Sequence, residues 1–245
     1  MTASTHPDRG PRQAVTDGLS LALNRSAAQL ELPISPTQAD SLLAFLGMLQ
    51  RWNATYNLTS VRDPAAMLNQ HLADCLAVIA PLRRYVVEGR AQRLLDVGSG
   101  GGLPGVVIAV MCPRLSVVCV DAVGKKAAFV RQVAAELRLN NLQGEHARVE
   151  AFDALPFDFV ASRAFASLAD FTKLTRRHLA PGASWVAMKG KSPDAEVAAL
   201  PADVRVFHVE QLAVPGLDAE RCLVWMRPKP AVQSLASNAS DASDA

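Results

Sequence analysis

The chain has 245 residues, half of them hydrophobic, 20% charged and only 5% aromatic, with a formal net charge of +2. That length suits one medium domain or a domain with a helical extension, and the composition is globular, which excludes a fibrous or wholly disordered chain. The small positive balance is not that of a protein that coats nucleic acid, although a local basic face would suffice for RNA.

Residues 1–11 and the Ala/Ser/Asp tail at 230–245 read as disordered. From 12 to about Tyr85 the pattern is helical. Ser35-Pro36-Thr37-Gln38 supplies an N-cap, a first-turn proline and a capping-box glutamine, and Leu42, Leu46 and Leu49 recur at helical spacing. Asp63-Pro64 opens another helix, whose buried side should carry Leu68, Leu72, Cys75, Leu76 and Ile79. From Gln92 short apolar strands alternate with amphipathic helices. Strands are predicted at Arg93–Val97, Ser116–Val120, Leu142–His146, Phe157–Ser162, Ser184–Met188, Val204–Glu210 and Cys222–Met226. Helices are predicted at 103–112, 124–139, 167–179 and 193–199, with a capping box at Ser167. Such alternation predicts a parallel, doubly wound sheet covered on both faces, in which ligands bind beyond the carboxyl ends of the strands.

No apolar run approaches the roughly 18–20 residues that span a bilayer, the longest candidate being Val106 to Cys112, and the polar N-terminus lacks a signal-peptide core. A cytosolic location is the expectation. Cys75, Cys112, Cys119 and Cys222 are scattered without paired spacing or clustered histidines, so reduced, buried thiols are expected rather than disulfides or a metal site.

The most informative stretch runs from Arg93 to Gly105: a buried strand, an acid at Asp96, then five glycines within eight residues, then a helix. Bare glycine backbone lets a ligand approach closely, and the helix start offers unpaired N–H groups to an anion. Gly100-x-Gly102-x-x-Gly105 matches a dinucleotide fingerprint, which alone is a weak signal. Asp96 discriminates, because a pyrophosphate gains nothing from a strand-end carboxylate. S-adenosylmethionine, which carries an ammonium and a sulfonium, suits it better. Asp121, at the end of the second strand, is placed to accept bonds from ribose hydroxyls of either ligand, or simply to cap a helix. Arg148-Val149-Glu150 follows the third strand, where a carboxylate and main-chain groups can receive adenine; a surface glutamate explains Glu150 equally well. After the fourth strand stands Arg163, a fork-shaped cation suited to phosphate, carboxylate or guanine. The motifs for methylating exocyclic amines or pyrimidine C5 are absent. An NAD-dependent oxidoreductase lacks its hydride-handling residue. A nucleotide-sensing or RNA-binding module without chemistry remains the alternative of another class.

Taken together, these residues resemble the bacterial RsmG family, also called glucose-inhibited division protein B, which methylates guanine N7 in 16S ribosomal RNA. The resemblance runs from about Leu42 to Met226. It is carried by Arg51-Trp52-Asn53, Tyr56-Asn57-Leu58-Thr59-Ser60-Val61-Arg62-Asp63, His71-Leu72-x-Asp74, the Asp96–Gly105 loop, Gly124-Lys125-Lys126, Ser162-Arg163-Ala164-Phe165-Ala166-Ser167 and Met188-Lys189-Gly190. It implies a class I methyltransferase fold, Rossmann-like and doubly wound, with a mostly parallel seven-stranded sheet and an N-terminal helical extension. It implies S-adenosylmethionine as cofactor, with contacts at Gly98, Leu103, Val149, Glu150 and Arg163; the strand-end map adds Asp96, Gly100 and Asp121. The implied partner is 16S ribosomal RNA or an assembling small subunit, met by a monomer. Guanine N7 has a free lone pair, so no catalytic base is expected, and positioning should carry the reaction. Candidate RNA contacts are Arg62, His71, Lys125, Lys126, Arg131 and Lys189, with Asn53 and Asn57 as base readers. An interhelical turn closed by Asn53, Tyr56 and Asn57 explains these residues slightly better, and a solvated helix face explains the two lysines equally well. His71 is more commonly a satisfied core residue than a ligand.

Overall fold

The computed structural model describes residues 11–163, 165–190 and 193–230; the expectations for residues 1–10 and 231–245 lie outside them. Helices α1 (Pro11–Gln29) and α2 (Pro36–Tyr56) come first. Ser35 caps α2 as predicted, its hydroxyl accepting from the Gln38 N–H while the Gln38 side chain accepts from the Ser35 N–H. Asp63 caps the next run by accepting from the Ala66 N–H at 2.7 Å. That run comprises α3 (Pro64–Met67), a π-helical segment (Leu68–Ala73), α4 (Asp74–Leu76) and α5 (Ile79–Arg83). The five apolar residues predicted to face inward are 0–1% exposed. The π segment has no counterpart in the sequence pattern, because Leu68 and Leu72 stand four apart, a spacing that α- and π-helical turns alike bring to one face. By length and composition the run Pro64–Arg83 is apolar enough to cross a membrane, contrary to the expectation that no stretch approaches that length. Since 72% of its apolar window is buried inside the protein, it is a core helix.

Seven strands follow: β1 (Gln92–Val97), β2 (Leu115–Asp121), β3 (Leu142–His146), β4 (Phe157–Ser162), β5 (Leu179–Lys189), β6 (Val204–Gln211) and β7 (Cys222–Pro228). They form one sheet in the order β3-β2-β1-β4-β5-β7-β6. The first five pair in parallel, while β7 runs antiparallel to both β5 and β6. The sheet is thus mostly parallel and seven-stranded, as expected, with its one antiparallel strand, β7, near an edge. Only residues 212–221 link β6 to β7, and a parallel return needs a crossover of about a dozen residues or more. The intervening helices are α6 (Gly105–Met111), α7 (Gly124–Glu136), α8 (Leu168–Thr175) and α9 (Asp194–Ala198).

Alternate strand residues divide between two cores. Leu94, Val117, Phe159, Val186 and Trp225 face a core shared by α2, the Pro64–Arg83 run, α6 and α7. Leu95, Val118, Val160, Trp185 and Val224 face a second core with Leu168 and Phe171 of α8. The N-terminal helices are thus part of one sheet face, with Phe45 and Trp52 of α2 at 6.2 and 5.3 Å from the Phe129 ring of α7. From β1 the chain winds outward to β3 and then returns to β4 on the other side of β1. The crevice of the switch point therefore opens between the carboxyl ends of β1 and β4.

Candidate functional site

The loop leaving β1 is pinned from several sides. Gly98 N–H donates to the Val120 carbonyl at 2.9 Å and Gly100 N–H to Asp121 Oδ2 at 3.0 Å. Gly98 is exposed with φ +67°, and a Cβ there would meet no atom within 4 Å, so bare main chain faces open space. Gly105 is the opposite case: a Cβ there would fall 2.3 Å from Cys119 Sγ and 2.9 Å from Asp96 Oδ2. At Gly101 an added Cβ would stand 2.9 Å from a methyl of Leu49, so α2 forms the floor of the loop. Leu103 is 4% exposed, so its side chain belongs to the core beneath the loop.

Asp96 is 0% exposed. Its Oδ2 accepts from the Gly105 N–H at 2.8 Å, and Oδ1 is buried with no hydrogen-bond partner. Burial pushes this carboxyl up to about 7, against the Gly105 N–H and the Arg163 charge, which pull it down. The sequence placed Asp96 at the ligand; the structure puts it beneath the loop, with one oxygen fastening the start of α6 and the other unsatisfied. Asp121 ties the loop to the next helix. Besides Gly100 it accepts from the Val123 N–H at 2.8 Å, and the Lys126 ammonium lies 3.8 Å away. Val149 is buried and its carbonyl faces His178 Nε2 at 2.8 Å, whereas the Glu150 side chain is exposed.

Arg163, one residue beyond β4, does not stand alone. Its Nη1 lies 3.6 Å from Asp74 Oδ2 and donates to the Gln70 carbonyl at 3.4 Å. Arg221 Nε donates to the other Asp74 oxygen at 3.0 Å. Asp74 is 3% exposed, and burial raises its carboxyl despite both guanidinium groups. This carboxylate carries two cations on the wall of a cavity of about 340 Å³, also lined by Ser60, His71 and Lys189. Sequence reasoning missed the pairing. Asp74 lay within a recognised stretch, but Arg221 is 147 positions away and has no motif of its own.

The six basic candidates separate by environment. His71 is 6% exposed, with Nε2 2.8 Å from Thr59 Oγ1 and Nδ1 3.0 Å from the Gln70 carbonyl. Burial, helped by the Arg163 charge, lowers it to about 4, so it is neutral near pH 7. Lys189 pairs with Glu196 at 2.8 Å, Lys126 faces Asp121, and Arg131 donates to the Gly144 carbonyl at 3.1 Å. Lys125 and Arg62 are exposed. Of the two asparagines, Asn53 closes a turn: it is buried, accepts from the Thr59 N–H at 2.8 Å and donates to the Val61 carbonyl at 3.2 Å. Asn57 ends α2 in the left-handed conformation, φ 51°.

Comparison with known proteins follows the same lines. The family model described as rRNA small subunit methyltransferase G matches residues 38–224. A relative from Leptothrix cholodnii named ribosomal RNA small subunit methyltransferase G is 64% identical over 209 residues, 85% of this chain and 95% of its own. A relative of the same name from an Acidovorax strain is 60% identical over 215 residues, covering 84% and 94%. Among solved structures, a mutant of MtNAS in complex with S-adenosylmethionine aligns with a TM-score of 0.54 at 16% identity, over 89% of this chain and 90% of that one. A SAM-dependent methyltransferase from Aquifex aeolicus aligns at 0.50 and 19% identity, over 69% and 96%. The two structural likenesses establish the fold alone.

Proposed function

The chain belongs to the rRNA small subunit methyltransferase G family, and from that premise we propose that it transfers the methyl group of S-adenosylmethionine to N7 of a guanine in 16S ribosomal RNA. The observation that carries the reading is the exposed main chain at Gly98, set at the switch point between a buried carboxylate and a second one at Asp121. The fit to a cationic nucleoside is specific. An open glycine surface admits the ligand, the unsatisfied Oδ1 of Asp96 supplies negative potential, and Asp121 stands where ribose hydroxyls would lie. When bound, S-adenosylmethionine supplies an electrophilic methyl on a sulfonium.

The chain's own residues bind and orient. Gly98, Gly100 and Leu103 offer main chain, Val149 and Glu150 the adenine side, and Arg163 a guanidinium held in place through Asp74. No residue is assigned as a base, because the N7 lone pair is free in neutral guanine and alignment can supply roughly 7–11 kcal/mol of the barrier. The RNA would be met by exposed Lys125 and Arg62. Lys126, Arg131, His71 and Lys189 support it from paired positions. A deep, narrow A-form major groove hides N7, so the acceptor is an extruded or loop guanine. The working form is a cytoplasmic monomer acting on free RNA or an assembling subunit.

Labelled donor incubated with unmodified small-subunit RNA and subunits should deposit 7-methylguanosine at one site. Label recovered on another atom would remove the N7 assignment.

A pH effect follows from Asp96. Its carboxyl ionises near 7 in the free protein, and a ligand bearing positive charge favours the ionised form. Binding below pH 7 should therefore release a proton. Affinity should fall as the pH drops below about 7, by up to tenfold per pH unit, and level off above it. Calorimetry in two buffers of different ionisation enthalpy at pH 6.5 measures the release, and Asp96→Asn should abolish it. Identical heats in both buffers for the unaltered protein would refute the coupling.

A further inference from the structure

We propose that Tyr56 is a stacking platform for an unpaired base of the RNA substrate, and that Lys125 takes the phosphate of the same nucleotide. The inference rests on the RNA-methylating reading above; that reading gives Lys125 to the RNA without a role and leaves Tyr56 unassigned.

Tyr56 is the last residue of α2 and 40% exposed, the only aromatic among the exposed large apolar side chains of the described residues. Its ring is held from below by Trp52, centroid to centroid 4.9 Å, and Trp52 rests at 5.3 Å on Phe129, which is fully buried. An aromatic column anchored in the core fixes the ring's position before any partner arrives, so little ordering is left to oppose binding. The place is also right. Leu58, two residues on, lies next to the glycine loop, within 4.0 Å of where a Cβ on Gly101 would stand, so Tyr56 belongs to the turn that borders that loop.

Lys125 completes the pair. It is exposed on the first turn of α7, and its ammonium lies 6.0 Å from the Tyr56 ring centroid. A cation at a helix N-terminus opposes the helix dipole, and the first turn of α7 holds no acidic residue to offset it. Its position is therefore not explained by helix stability. Single-stranded RNA is held by this combination: an aromatic face for a splayed base and a flexible cation for the adjoining phosphate. Stacking of this kind tolerates any base, so the pair would contribute grip and leave sequence choice to other residues.

The test compares Tyr56→Ala, Tyr56→Phe, Tyr56→Trp and Lys125→Ala in methylation of unmodified small-subunit RNA and subunits, with S-adenosylmethionine affinity and thermal melting measured beside it. Tyr56→Ala should raise the RNA KM by about five- to a hundredfold while cofactor affinity and the slope of RNA affinity against salt stay as in the parent. Phe and Trp should restore the KM to within about threefold of the parent, as a stacking surface predicts. Lys125→Ala should lower the salt slope by about one. A parental RNA KM in Tyr56→Ala overturns the platform while leaving the family reading intact. So does a defect that Phe and Trp fail to rescue and that lowers cofactor affinity equally. No RNA methylation by the parent protein overturns both.

Discussion

Gly105→Ala is expected to destabilise the fold by roughly 3 kcal/mol and to lower the melting temperature by about 10 °C. The new methyl would fall 2.3 Å from Cys119 Sγ and 2.9 Å from Asp96 Oδ2, both on fully buried side chains of neighbouring strands. Neither can retreat, because β1 and β2 are tied in register across Asp96 and Cys119. Moving the α6 start instead would stretch the 2.8 Å bond from Gly105 N–H to Asp96 and leave a buried carboxylate with only the weak Cys119 thiol as donor. Two companions sharpen the result. Cys119→Ala removes the nearer obstacle and should recover part of the loss when combined with Gly105→Ala, a coupling measurable as a double-mutant cycle. Gly98→Ala adds its methyl to open space at φ +67° and should cost only about 1–2 kcal/mol of backbone strain. Its main effect should be on cofactor affinity. Denaturant titrations decide the matter. A Gly105→Ala protein within about 0.5 kcal/mol of the parent would show that the packing at this point yields more than the distances allow.

Arg163→Ala should weaken S-adenosylmethionine binding by about ten- to a hundredfold, the usual range for one charge-assisted hydrogen bond, with little loss of stability. Asp74 keeps Arg221 at 3.0 Å after the change, so no buried charge is stranded. Arg163→Lys should rescue poorly, because an ammonium cannot reproduce the planar fork. Asp74→Ala should behave differently: it removes the carboxylate that both guanidinium groups share. With those groups about a quarter exposed, a stability loss on the order of 2 kcal/mol is expected rather than the full penalty of a buried pair. Cofactor affinity should fall as well, since Arg163 loses its anchor. Calorimetric Kd values and melting curves for the three variants test this ordering. An Arg163→Ala protein with parental affinity would remove Arg163 from the cofactor site.

What could be read from the sequence was what local spacing determines. The caps at Ser35 and Asp63, the strands β3 and β4 to the residue, and the glycine loop after β1 all arise from contacts within a few positions. The site's partners across the chain could not be read. Asp74 meets Arg221 only because the sheet returns β7 beside β5. Lys189 pairs with Glu196 of the short helix α9, a contact that no periodicity indicates. The strand-end position of Asp96 was legible, but its depth was not. Burial of a carboxylate under its own loop depends on Leu49 and Cys119 filling the space around that loop. A mostly parallel sheet was expected, but which strand reverses was decided by connection length, a property of the gap between β6 and β7 rather than of their residues.

Leu49 beneath Gly101 also limits how the chain may be divided. Sequence character changes at Gln92, and a designer seeking a minimal catalytic fragment would place the cut there. That cut would leave the cradle without its underside, Arg163 without its counter-ion and the Phe129 ring without its cover. The junction is a change of style in the sequence but not a seam in the architecture. The first third of the chain is built in beneath the glycine loop as its foundation, and grafting the remainder elsewhere would require a replacement for it.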